Sequence, residues 1–175
     1  MQARCPAPVL AHFLWHLARA YRGDDPQCPI SAATARRMLG APHLVDGGSL
    51  DDFGARAGLG VFVADCGPNK LMIHQAATEG FRGIYVVCFD GPNAADGPSG
   101  FVACANGDEQ ASFLVADVCQ SMLRRLDWEG VDLNHVENPA YAADMIKHTP
   151  KELVQNTSYK DLVFKAFAPA AKPPP

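Results

Sequence analysis

Cys5 stands at the start of a predicted helix, where its thiol could act as a nucleophile. The amide dipoles at a helix N-terminus favour the thiolate, which is the reactive form of the side chain. Nucleophilic catalysis also needs a general base, most often a histidine, within hydrogen-bond reach of the sulfur. A catalytic role for Cys5 therefore depends on which histidine the fold brings to it.

Two histidines of the same helix, His12 and His16, are four residues apart, which is the spacing of two metal ligands. Phe13 follows His12, so the His-Glu-x-x-His pattern of zinc hydrolases is not formed. We interpret the pair as hydrated or as capping the helix. The six cysteines contain no Cys-x-x-Cys pair, and the sequence predicts no metal and no cofactor. Three of them lie in apolar stretches and are predicted to be buried thiols: Cys88, Cys104 and Cys119.

The remaining polar and aromatic candidates are more typical of loops and packing than of sites. His135 lies with Asp132 and Glu137 in a predicted solvated loop. Segment 91–100 is rich in Gly, Pro, Asn and Asp, but it lacks the Gly-Lys-(Ser/Thr) ending of a phosphate loop, and a predicted strand follows it. The two tryptophans are predicted to pack rather than to stack on a base: Trp15 and Trp128.

The elements that must position these residues begin with helices and continue with strands. Apolar residues at helical spacing predict a helix over 7–22. Ser31 and Ser49 are predicted to cap two shorter helices, which end at Gly40 and near Gly60. Strands are then predicted at 61–65, 71–75, 84–90 and 101–106.

The last third of the chain is predicted to be helical. The first of its helices spans 108–128 and carries an apolar stripe of Phe113, Leu114, Val118, Met122 and Leu126. The predicted fold class is α+β, with N-terminal helices packed on a mainly antiparallel sheet of about four strands and a helical C-terminal appendage. We expect a core over 1–106, a helical region or arm over 107–168, and a Pro/Ala-rich tail over 169–175. One buried cluster is predicted from Phe13, Leu14, Leu17, Val61, Val63, Ile84, Val86, Cys88 and Val102.

Charge is distributed unevenly along the 175 residues, whose formal net charge is −4. Residues 106–146 have a net charge of −6, and residues 147–175 have a net charge of +3. No segment has the dense Lys/Arg composition that drives phosphate binding. The longest apolar run, six residues over 84–89, is far shorter than the roughly 20 residues of a transmembrane helix, so no membrane partner is expected. With no secretion signal recognised, we expect the host cytoplasm.

The order of these elements over residues 5–105 has a familiar form. A Cys opens a long apolar helix, a second helix begins at Ile30-Ser31, and a Ser49-capped helix leads into strand 61–65. The central strand 84–90, a Gly-rich loop and a last strand follow. This order resembles that of the OTU-like and papain-like cysteine peptidases of RNA viruses, including the tymovirus type. The resemblance implies Cys5 as the nucleophile and a His at the start of the last strand as the base.

The last strand departs from that family pattern. It reads Pro98-Ser99-Gly100-Phe101-Val102, with Gly100 at the position of the family histidine. His74, on the second predicted strand, is the closest substitute, although a histidine on a strand is more often a packed residue than a base. Without a base, Cys5 loses most of its activation. We therefore expect the fold with crippled or absent peptidase activity.

Two functions remain open from the sequence. The first is a viral structural or assembly protein on a degenerate peptidase-like fold, associated with the viral RNA genome through its oligomers. The content of 27 Ala and 14 Pro resembles that of the proline-alanine-serine-rich proteins that coat polymycovirus genomes, although Ser, at 6, is ordinary. The alternative is a viral cysteine protease or deubiquitinase that uses Cys5, with ubiquitin or a viral polyprotein as its partner.

A homodimer or higher homo-oligomer is the expected assembly. Segment 150–168 is predicted to contact the partner copy, because it carries an apolar stripe that a small sheet cannot also cover. The same segment could instead fold back on its own core. The predicted interface residues are Tyr159, Leu162, Val163 and Phe167.

Overall fold

The structure is a computed structural model that describes residues 5–40, 45–46, 55–107 and 109–131. Helices α1 (Ala7–Arg22) and α2 (Ala32–Leu39) precede the strands, and helix α3 (Glu109–Leu126) follows them. The strands are β1 (Val45–Asp46), β2 (Ala55–Ala57), β3 (Phe62–Cys66), β4 (Asn69–Thr78), β5 (Phe81–Asp90) and β6 (Ser99–Asn106). The predicted α+β class, the antiparallel sheet and the helix after it are confirmed.

The six strands form one antiparallel meander in sequence order, from β1 to β6. Strands β3 to β6 are the four predicted strands, and β1 and β2 extend the sheet beyond β3. Among the described residues, β1 and β6 are the two edges of this sheet. The helix predicted over 49–60 is wrong at its C-terminal half, because Ala55–Ala57 is strand β2 and pairs with β3 in the register Ala55↔Ala64. Residues 49–54 lie outside the described residues.

Helices cover both faces of the sheet and divide the core into two clusters. Helices α1 and α2 bury Leu14 and Leu17 against one face, where Met72, Tyr85 and Phe89 also lie. On the opposite face α3 packs against a second cluster that includes Ile73, Ile84, Val86, Cys88, Val115 and Leu123. Strand β5 is therefore apolar over 84–89 without interruption, because its side chains alternate between the two clusters and both faces of the strand are buried.

The single nine-residue cluster predicted from the sequence is wrong. Leu14, Leu17, Val61 and Val63 lie on the α1 side, whereas Ile84, Val86 and Cys88 point to α3. The two groups are separated by the sheet itself. Phe13 belongs to neither buried group, because 45% of its surface is exposed.

The apolar stripe predicted for the long C-terminal helix is also displaced. Leu114 is 56% exposed and Val118 is 36% exposed. The buried stripe is instead Ala111, Val115, Cys119 and Leu123, which repeat every four residues. Side chains from alanine to leucine are buried on this stripe, so burial follows the face of the helix rather than the size of the side chain.

A buried asparagine ties three loops together at one end of the sheet. Asn69 Nδ2 donates to Asn93 Oδ1 and to the Glu129 carbonyl, both at 2.8 Å. Its Oδ1 accepts from the Asn93 amide at 3.0 Å. Because Asn69 is almost completely buried, these bonds replace water and hold the turn before β4 against the loop after β5 and the turn after α3.

Candidate functional site

Cys5 lies directly before α1, with an exposed thiol. Pro6 is the N-cap of the helix and has an extended backbone, so the chain enters α1 immediately after Cys5. Within the described part of the chain, no hydrogen bond joins the Cys5 sulfur to a histidine ring. The thiol thus has the helix start that the sequence predicted, but no histidine of the described residues is bonded to it.

His74 lies on β4, opposite Tyr85 of β5. Its ring lies 5.5 Å from the Phe62 ring and 5.7 Å from the Tyr85 ring, measured between centroids. This apolar surrounding lowers the pKa of His74, because it disfavours the charged imidazolium. A groove of about 280 Å³ between α1 and the sheet is lined by His74 together with Leu10 and Phe13. The ring is therefore held by aromatic contacts on the α1 side of the sheet, and no carboxylate of the described residues orients it.

Gly100, where the resemblance to the peptidases predicts a histidine, has no room for a side chain. A Cβ placed there would lie 2.3 Å from the Val86 carbonyl oxygen and 2.7 Å from Val87 Cα. These atoms belong to the backbone of β5, which pairs with β6 at Val87↔Gly100. The close approach of two strands, rather than an unusual φ, excludes other residue types here.

A groove of about 630 Å³ runs between α1 and the edge strand β6. Helix α1 contributes His12 and Trp15, and α3 contributes Leu126. The β6 side is formed by Pro98, Ser99, Gly100, Phe101 and Val102. Most of the lining is apolar and open to solvent, so this groove can receive a hydrophobic segment of another chain.

Trp15, which is predicted to pack rather than to stack on a base, is half exposed on this groove. Its surface is 42% exposed, and the Arg19 guanidinium lies over its ring at 4.5 Å. Trp128, by contrast, is buried beside the α3 cluster, as predicted. Trp15 escapes burial because it is on the side of α1 that faces away from Leu14 and Leu17.

Beyond Trp15 the surface becomes polar. Arg22 donates to the carbonyls of Ala94 and Ala95, and its Nε lies 2.7 Å from Asp24 Oδ2. Arg19 donates to the Asp24 carbonyl at 2.6 Å. Arg22 thus holds the loop after β5 against the end of α1, whereas Arg19 holds the turn that follows α1.

His16, Asp25 and Cys28 are brought together where α1 meets the following loop. His16 Nδ1 lies 2.5 Å from Asp25 Oδ2, and one ligand atom from each of the three residues lies within 4.8 Å of the other two. The hydrogen bond from His16 lowers the pKa of Asp25. Sequence spacing pairs His16 with His12 instead, and the centroids of these two rings are 6.4 Å apart. The missed signal is Asp25-x-x-Cys28, two potential ligands in one turn.

The six cysteines are all free thiols. Cys66, Cys88 and Cys119 are buried, whereas Cys5 and Cys104 are exposed. The prediction of burial is therefore confirmed for Cys88 and Cys119 and is wrong for Cys104, which lies on the edge strand β6.

The predicted interface residues 159, 162, 163 and 167 and the loop cluster at 132–137 lie outside the described residues.

Comparisons with protein-family models, with curated proteins and with solved structures found no match for this chain. Within the described residues, every helix is too short or too polar to cross a membrane. The geometry of the candidate sites is therefore the basis for assigning a function.

Proposed function

We propose that this chain is a viral structural or assembly protein on a degenerate cysteine-peptidase-like fold. The observation that carries the proposal is the open, mainly apolar groove between α1 and β6. On this groove Trp15 is 42% exposed beside Phe101 and Leu126, whereas the exposed Phe13 lines the separate groove that contains His74. Exposed apolar surface of this kind is typical of a protein interface.

The proposed occupant of the groove is segment 150–168 of a second copy of the chain. That segment carries the apolar stripe that contains Tyr159, Leu162, Val163 and Phe167, and the groove offers Trp15, Phe101 and Leu126. The net charges of −6 over 106–146 and +3 over 147–175 favour contact between copies, although salt screens this attraction. Reciprocal exchange of the two segments gives a closed dimer.

Association with the viral RNA genome would follow from this assembly. A single chain with a net charge of −4 is a poor ligand for phosphate groups. An oligomer presents several copies of the basic segment 147–175 together, so their weak contacts add along one RNA strand. A gel-shift titration at 50 and 200 mM salt tests this step, and we expect the dimer to bind more weakly at the higher salt. RNA binding that does not change with salt would contradict it.

The alternative is a cysteine protease or deubiquitinase that uses Cys5. The lack of room at Gly100 and the absence of a histidine bonded to Cys5 among the described residues both disfavour this alternative. An activity-based ubiquitin probe that labels Cys5 would support the enzyme instead. We expect no labelling above that of the Cys5→Ala variant.

The assembly proposal is tested by a matched pair of charged substitutions. Trp15→Glu places a carboxylate in the groove, whereas Leu59→Glu places one at a site that is 49% exposed and does not line the groove. Both side chains are exposed, so neither change should unfold the protein. In sedimentation velocity we expect Trp15→Glu to be monomeric and Leu59→Glu to be dimeric. Equal association of the two variants would overturn the groove as the interface.

A further inference from the structure

We propose that His16, Asp25 and Cys28 form a binding site for a zinc ion. The three side chains supply an imidazole nitrogen, a carboxylate oxygen and a thiolate sulfur, a donor set that suits Zn²⁺. None of the three residues lines the assembly groove, and Cys5 is not part of the site.

Local structure brings the three groups to one point. His16 is in the third turn of α1, and the helix ends at Arg22, after which the chain turns back. The Cys28 amide donates to the Asp25 carbonyl at 3.2 Å, and this turn places the Cys28 thiol beside the Asp25 carboxylate. Two ligands separated by two residues are the usual first half of a zinc site, here with Asp in the place of one Cys.

The surroundings of the three groups hold them in position. The Asp25 side chain is 6% exposed, and its Oδ1 accepts from the Gln27 amide at 3.3 Å. The His16 and Trp15 rings pack edge to face, with 5.1 Å between their centroids. The Cys28 sulfur accepts from the Ile30 amide at 3.4 Å. Ligands held by neighbours in this way lose little freedom when a metal binds.

The compact arrangement distinguishes a metal site from a catalytic Cys-His-Asp relay. In a relay the carboxylate and the nucleophile lie on opposite sides of the imidazole ring. Here the carboxylate oxygen and the sulfur lie within 4.8 Å of each other as well as of the ring nitrogen. Three donors that surround one point fit a shared ion.

Zinc loading requires a small change of geometry. The 2.5 Å between His16 Nδ1 and Asp25 Oδ2 is a hydrogen-bond distance. Ligand atoms about 2.0–2.2 Å from a tetrahedral zinc are separated by roughly 3.3 Å, so the metal takes the place of the shared proton and the two atoms move apart. The fourth coordination position is left to water.

Cobalt(II) is the probe, because it replaces zinc and reports its ligands by colour. The full chain is reduced, stripped of metal with a chelator and titrated with Co²⁺. We expect one equivalent to produce a thiolate-to-cobalt absorption band in the near ultraviolet, together with the intense visible bands of tetrahedral cobalt. Added Zn²⁺ should abolish both.

Two serine variants make the assignment specific. Cys28→Ser should remove the thiolate band and weaken Zn²⁺ binding by at least about 100-fold, beyond the effect of losing an outer contact. Cys104→Ser, which changes an exposed thiol outside the cluster, should keep both. Circular dichroism confirms that each variant is folded, and Asp25→Asn provides a second variant that should also weaken Zn²⁺ binding. A wild-type chain without the thiolate band, or a band that persists in folded Cys28→Ser, would overturn the proposal.

Discussion

Replacing Gly100 by alanine tests whether strand β6 can hold any side chain at this position, where the resemblance to the peptidases predicts a histidine. The added Cβ would lie 2.3 Å from the Val86 carbonyl oxygen, 2.7 Å from Val87 Cα and 3.0 Å from Val87 Cγ2. Two of these atoms belong to the backbone of the central strand β5, which is covered by helices on both faces. The clash therefore cannot be relieved by rotating a side chain, and β6 must move away from β5.

The free-energy cost of this movement can be estimated from the known cost of overpacking a protein core. An extra carbon in a well-packed site costs typically 1–3 kcal/mol, and a backbone clash belongs at the upper end. We expect Gly100→Ala to lower the free energy of unfolding by about 3 kcal/mol. For a chain of this size, that loss corresponds to a decrease in Tm of about 6–12 °C.

Gly83→Ala is the matched control, because Gly83 lies in the same sheet and faces Cys104 of β6. A Cβ at Gly83 would be 3.4 Å from the Ala103 carbonyl oxygen and 3.5 Å from Cys104 Sγ, distances that need little movement. The change also removes freedom from the unfolded chain, which offsets part of any strain. Urea unfolding followed by circular dichroism measures both variants. If their free energies of unfolding differ by less than about 0.5 kcal/mol, the reasoning about Gly100 is refuted.

Three further predictions follow from the described contacts. Asn69→Ala should lower the free energy of unfolding in urea by about 2–4 kcal/mol, because it leaves buried hydrogen-bond partners unpaired. The control Asn106→Ala changes an exposed side chain and should alter the free energy of unfolding by less than about 0.5 kcal/mol. Equal effects of the two variants would contradict the role of the Asn69 network. A thiol reagent at neutral pH should modify the exposed Cys5 and Cys104 rapidly, the half-buried Cys28 more slowly, and the other three thiols only after unfolding. Fast reaction of more than three thiols in the native protein would contradict the burial of Cys66, Cys88 and Cys119. Burial raises the pKa of the Cys66 and Cys88 thiols to about 11 and that of Cys119 to about 12. Because the unfolded chain loses these protons first, from about pH 9 upward, the free energy of unfolding in urea should fall as the pH rises from 9 to 12. A free energy of unfolding that rises over this range would contradict the prediction.

Local patterns in the sequence are sufficient to predict the elements that are buried on one face only or along their whole length. The apolar spacing of α1 predicts its limits, 7–22, as the structure has them, and Ser31 caps α2 by accepting from the Thr34 amide. The run 84–90 predicts a central strand because β-branched and aromatic residues follow one another without a polar interruption. These signals are contained within one element, so no knowledge of its neighbours is needed.

The errors arose where a neighbour decides the outcome. Residues 55–57 form β2 because β3 offers them hydrogen-bond partners, although a short Ala-rich stretch is equally compatible with a helix. Apolar spacing predicts a buried stripe through Leu114 and Val118, whereas α3 buries Ala111 and Cys119 against the sheet. The His16, Asp25 and Cys28 cluster needs the turn after α1, which sequence spacing alone does not fix.

The molar mass of the full chain in solution tests the assembly proposal most directly. Light scattering after size-exclusion chromatography, at tens of micromolar protein, should give twice the 18.7 kDa of one chain. Deleting residues 150–175 should give a soluble monomer, because the two described core clusters lie before residue 132. Its far-ultraviolet circular dichroism should keep the β-sheet signal of the full chain. A full chain that is already monomeric, or a deletion variant that remains a dimer, would contradict the account.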